Sequence, residues 1–139
     1  MNDHSVFWDD LAEDLDDPEF LREYVSESVR IATVDAVVNA LDDARIAAGL
    51  TKAELARAIS AEPASVRRLL ASPNPNPTLG TLAELAAALG MKVMLQPLTS
   101  DERMLVTEPL LHGETADKKA LIAHLERMRS RQERPAAAS

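Results

Sequence analysis

The stretch Gly49 to Leu70, GLTKAELARAISAEPASVRRLL, constrains the fold more than any other part of the chain. Thr51 is a good N-cap, since its hydroxyl can accept from first-turn amides, and Lys52 to Ile59 follows in good helix formers. Leu55, Ala56 and Ile59 recur at the spacing of one buried helical face. Ser60, Ala61 and Glu62 interrupt that pattern. Glu62 and Pro63 restart it as an acid at a helix N-terminus and a proline at the first helical position. The second helix runs to about Ala71, burying Val66, Leu69 and Leu70 and leaving Ala64, Ser65, Arg67 and Arg68 exposed. Ala56 is small where two steeply crossing helices need their backbones close.

Two short helices joined this way form a helix-turn-helix, whose second helix enters the major groove of DNA. Gly49-Leu50-Thr51-Lys52, Leu55-Ala56, Ile59, Val66 and Leu69, followed by Asn76-Pro77-Thr78-Leu79 and Ala88-Leu89-Gly90, resemble the XRE family of Cro and phage-repressor type domains. Asp17-Pro18-Glu19-Phe20 and the Pro-Thr-Leu-Gly-Thr-Leu and Leu-Gly-Met-Lys-Val stretches narrow the resemblance to antitoxins of HigBA-like toxin–antitoxin modules. It covers roughly Asp17 to Leu95. The chain departs from the family at Ser60, where a turn glycine is usual, and at Glu62-Pro63, where Gln or Ser and Arg often open the recognition helix.

Net charge is −8, which sets the chain apart from most DNA binders, but the charge is unevenly spread. Up to Ile31, ten acids face only Arg22 and Arg30, a balance that equals the whole chain's −8, so the remainder is neutral. Between Thr51 and Leu70, Lys52, Arg57, Arg67 and Arg68 outnumber Glu54 and Glu62. That weak positive patch predicts modest DNA affinity for one copy.

The acidic segment 1–17 carries Phe7, Trp8, Leu11 and Leu15, with Phe7, Leu11 and Leu15 at the spacing of an amphipathic helix. It reads either as a solvated acidic tail or as a strip that docks on a basic protein; a third reading folds the stripe back on the helix that starts at Pro18. Asp17-Pro18-Glu19 starts that helix, and Val34, Val37, Val38 and Leu41 carry the pattern to Gly49, as one bent helix or two. Ala71 to Pro77 is a helix-incompatible loop whose Asn74 and Asn76 would, in an XRE domain, run beside the DNA backbone. Thr78 caps a helix Leu79–Leu89 with Leu79, Leu82, Leu85, Ala86 and Leu89 as its apolar face, and Gly90 stops it. Met91 to Leu95 admits a short strand, ended by Pro97. Residues 97–139 form a C-terminal extension with a final helix near 115–131, striped by Leu121, Leu125 and Met128 and rich in arginine.

The expectation is therefore an all-α, XRE-type helix-turn-helix bundle over residues 18–96, with an extra N-terminal helix, room for a short C-terminal strand and a final helix. Ser65 and Arg68 share one exposed face suited to reading bases; Thr51, Lys52 and Arg67 suit the phosphate backbone, and Ala64 lies among them. His4, His112 and His124 are scattered, so no metal site is expected, and no cofactor loop or nucleophile and base set is present. No leader and no run of about 18 apolar residues is found, which predicts a cytoplasmic protein off the membrane. The resemblance implies a homodimeric repressor of its own operon that neutralises a basic RNase toxin of the HigB or RelE type. A solitary repressor, and a protein-interaction module on a helix-turn-helix scaffold, are the alternatives; Glu62 and the low positive charge favour the last.

Overall fold

The structure, a computed structural model, describes residues 3–132, with side chains over residues 6–130. In chain order the helices are α1 Asp3–Asp14, α2 Pro18–Ala47, α3 Lys52–Ala58, α4 Pro63–Ala71, α5 Leu79–Ala88, α6 Ser100–Glu102, a π-helical turn Arg103–Thr107, α7 Glu108–His112 and α8 Lys118–Gln132. The chain divides into two compact units: residues 33–96, and the two chain ends, up to Ala32 and from Pro97 onward. Helix α2 passes through that division as a single helix of 30 residues. Nothing interrupts it because the sequence holds neither glycine nor an internal proline there. Residues 18–32, grouped by sequence with the helix-turn-helix, thus pack with the chain ends.

In residues 33–96 the second half of α2 lies in one core with α3, α4 and α5. Leu41, Leu55, Ala56, Val66, Leu85 and Ala86 are buried, and Val37, Ile59, Ala61, Leu69, Leu70, Leu82 and Leu89 pack around them. Burying a leucine of this kind contributes about 1.5–3 kcal/mol. Three helices end alike. Gly49, Ser60 and Gly90 are left-handed, at φ +72°, +56° and +77°, and the next residue's amide reaches back to a carbonyl of the last turn, from Leu50 to Arg45, Ala61 to Ala56 and Met91 to Ala86. This is the Schellman termination. Ser60 occupies a conformation that glycine adopts without cost, which explains why a glycine is usual at this place in the family it resembles. Arg45 fastens the first turn, donating to Asp42 Oδ1 at 2.9 Å and to the Leu50 carbonyl at 2.8 Å.

Two expectations change here. Leu79, assigned to the apolar face of α5, is 67% exposed, because as the first helical residue it lies ahead of the buried stripe that Leu82, Leu85 and Ala86 form. Among the described residues there is no strand. Residues 91–99 run without helix, turn or bend, no backbone hydrogen bond ties residues 92–98 to another described residue, and Leu95 is 97% exposed. The alternation suits a strand, but a strand needs a partner to bond with, and this unit supplies none.

The unit of the chain ends has its own core of Leu11, Leu15, Leu21, Val25, Val106, Leu121, Ile122 and Leu125, with Trp8, Phe20, Tyr24, Leu110 and Met128 against it. The Arg22 guanidinium donates to the carbonyls of Leu110 and Leu111, capping α7. Gly113 follows at φ +73°, and a Cβ there would lie 3.0 Å from that of Pro18, so both backbone conformation and close approach call for glycine. Lys118, at the start of α8, pairs with Asp16. The final helix begins three residues later than 115, where Asp117 Oδ1 accepts from the Ala120 amide. Burial raises the Tyr24 hydroxyl above its ordinary pKa; nearby Glu126 adds to the rise and Arg129 opposes it.

Candidate nucleic-acid interface

Helix α4 is positioned by what it buries. Val66 enters the core at 2% exposure and Leu69 and Leu70 follow half-buried, which leaves Ala64, Ser65, Arg67 and Arg68 facing outward, as the helical spacing requires. Glu62 is the N-cap in an extended conformation, without a side-chain bond to the helix, and Pro63 opens the first turn. The Arg68 Nη2 donates to Ser65 Oγ at 3.4 Å.

Beyond α4 the chain turns through Ser72, whose hydroxyl accepts from the Asn74 amide at 3.2 Å. A concavity of about 370 Å³ then lies between α4 and the start of α5, lined by Ser65 and Arg68 on one side and by Asn74, Asn76, Thr78 and Thr81 on the other. The fold thereby brings four of the sequence-assigned residues, Ser65, Arg68, Asn74 and Asn76, to one surface. A second concavity, of about 470 Å³, is lined by Ala64, Arg67, Arg68, Ala71 and Ser72. Thr78 and Thr81 were not assigned from sequence. Their signal was the capping spacing itself: Thr78 Oγ1 accepts from the Thr81 amide and is hydrogen-bonded to Thr81 Oγ1 at 2.9 Å.

Thr51 and Lys52 line neither concavity. Thr51 caps α3 through a reciprocal pair: its hydroxyl accepts from the Glu54 amide and the Glu54 carboxylate accepts from the Thr51 amide, both at 3.0 Å. Hydrogen bonding to the carboxylate from the Thr51 amide, and next from the Thr51 hydroxyl, holds the Glu54 carboxyl below its ordinary pKa, with a smaller contribution from Arg57. The carboxylate already occupies part of this helix terminus, so the ammonium of Lys52 is the feature left there for a phosphate.

On α1 the four sequence-assigned residues separate. Leu11 and Leu15 are 9% and 2% exposed in their own unit's core, and Trp8 is half-buried beside them. Only Phe7 faces out, 59% exposed, its ring edge-on to Trp8 with centroids 5.2 Å apart. The exposed stripe read from the sequence is corrected for Leu11 and Leu15: two leucines at helical spacing fold back where a receptive apolar surface is within reach. The rest of α1's outer surface is acidic, with Asp9, Asp10, Glu13 and Asp14 all exposed.

The sequence model of the Cro/C1-type HTH DNA-binding domain family matches residues 40–94, inside the unit 33–96. Residues 40–94 are a Cro/C1-type helix-turn-helix DNA-binding domain. The matched residues include α3 and α4, the two helices of the motif, of which the second is the recognition helix in domains of this type. No curated protein and no solved structure matches the chain. Among the described residues, no helix is long and apolar enough to cross a membrane.

Proposed function

We propose that the protein is a DNA-binding antitoxin: a homodimeric autorepressor of a HigBA-like operon that also neutralises a basic RNase toxin of the HigB or RelE type. The observation that carries the DNA half of this reading is the exposed face of α4, where Ser65, Arg67 and Arg68 stand clear of a core that holds the helix rigidly. Arg68, hydrogen-bonded to Ser65 beside it, reads bases, while Arg67, Lys52, Asn74 and Asn76 hold phosphates. Thr51 orients the start of α3. Two copies suit the weak positive charge of one, because each adds its own phosphate contacts. The exposed apolar residues Val93, Met94 and Leu95, whose backbone has no hydrogen bond to another described residue, support a second copy as well, since an exposed run of this kind gains both backbone bonds and burial on pairing.

The toxin half rests on the sequence resemblance, on the acidic outer surface of α1 and on Phe7 at its apolar tip. Carboxylates there speed encounter with a basic protein, and an aromatic ring anchors the complex. The burial of Leu11 and Leu15 favours a second reading, a solitary repressor, because it reduces the apolar surface left for a partner.

Two measurements test this. A gel shift of the DNA upstream of the gene, at two salt concentrations, should show binding that weakens with salt; absence of any shift rejects DNA binding altogether. Co-expression with the neighbouring gene should relieve growth arrest caused by that gene alone, and Phe7→Ala should weaken the relief. Operator binding without relief leaves the solitary repressor.

A further inference from the structure

We infer that the domain reads a guanine through Arg68 and, within two base pairs of it, a thymine through the methyl group of Ala64, with Ser65 as the positioning residue that aims the guanidinium. This rests on the DNA-binding reading of α4 and adds the base pattern that α4 selects.

Ala64 and Arg68 are four residues apart on a helix, hence on one stripe, and both are exposed. They line the same concavity, and Arg68 also lines the other, so Arg68 is shared by the two. The hydrogen bond from Nη2 to Ser65 Oγ takes up one of five guanidinium donors and leaves a fork free. That fork matches the O6 and N7 acceptors that guanine presents in the major groove. Arg67, one residue before Arg68, is turned about 100° away around the helix and lines only the concavity on the Ala64 side.

Ala64 has no polar side-chain atom, so it can distinguish bases only by apolar contact, and the one methyl group in the major groove belongs to thymine. Four residues of helix rise about 6 Å, under two base-pair steps of about 3.4 Å. A guanine under Arg68 and a methyl group under Ala64 therefore fall within two base pairs. Ala71 lies on the same stripe, but residues near the start of a recognition helix approach the bases most closely, which favours Ala64.

The test selects from a duplex library with twenty random base pairs, using the full chain, and then measures binding of the enriched duplex by fluorescence anisotropy. Each enriched half-site should contain a guanine with a thymine within two pairs. Replacing that thymine by deoxyuridine should weaken binding about fourfold, the worth of one buried methyl group. The loss should vanish in Ala64→Gly, which lacks the Cβ, and shrink in Ala64→Ser, whose hydroxyl sets a polar atom beside the methyl group, a second variant in case glycine loosens the helix. Ser65→Ala should weaken the enriched duplex and leave a scrambled duplex unchanged, with Ser65→Thr restoring binding. Enriched half-sites without this pair, equal deoxyuridine losses in the native chain and both Ala64 variants, or equal weakening of both duplexes by Ser65→Ala would overturn the inference. Enrichment of no duplex at all would instead overturn DNA binding itself.

Discussion

Replacing Leu15 with alanine measures how firmly α1 belongs to the unit of the chain ends. Leu15 is 2% exposed and packs in one cluster with Leu11, Leu21, Val25, Leu121 and Leu125, so almost the whole side chain is withdrawn from water. Losing its burial and leaving a cavity should cost about 2–5 kcal/mol. Phe7→Ala, at a side chain 59% exposed, should cost less than about 1 kcal/mol. Trp8 is the only tryptophan and packs against this same cluster, so its fluorescence reports on this unit. Urea titration followed by Trp8 should show the Leu15→Ala midpoint lower by about 1–3 M, with Phe7→Ala close to the native chain. Equal midpoints in all three proteins would refute the reasoning, because α1 would then contribute nothing to the core and its stripe would be free for a partner.

Lys52→Ala should weaken binding to operator and random duplexes alike and reduce the magnitude of the salt-dependence slope by about one unit in salt-titrated anisotropy; an unchanged slope removes Lys52 from the backbone contacts. Ser60→Gly should raise the unfolding free energy by up to about 1 kcal/mol in urea melts, since a non-glycine residue at φ +56° is strained. Loss of stability would mean that the serine side chain contributes something its backbone geometry does not reveal. The Glu54 carboxyl is lowered in the folded state, so its contribution is present above the ordinary glutamate range and is lost as pH falls through the folded value. Glu54→Gln should flatten that acid limb of the stability profile, measured by thermal melts between about pH 3 and 6; an unaltered limb would assign it to other carboxylates.

How far the sequence reached is visible in particular elements. Thr51, Pro63, Thr78, Gly49 and Gly90 mark helix ends by local chemistry, and each does so in the structure, because capping and the left-handed turn involve only residues a few positions apart. The outward face of α4 was legible for the same reason: 3.6 residues per turn decide which side chains share a side once one side is apolar. The match of residues 40–94 to a Cro/C1-type domain agrees with that local reading.

What lay beyond it depended on partners far along the chain. That Leu11 and Leu15 are core, while Phe7 on the same helix is surface, follows from Leu121, Ile122 and Leu125, more than a hundred residues away, arriving beside them. The concavity that joins Arg68 to Thr81 exists because the proline-rich loop brings the start of α5 across from α4. The Met91 to Leu95 run shows the division most plainly. Its alternation is a local property and suits a strand, but a strand is defined by hydrogen bonds to a neighbour, and only the tertiary structure could decide that this unit offers it none.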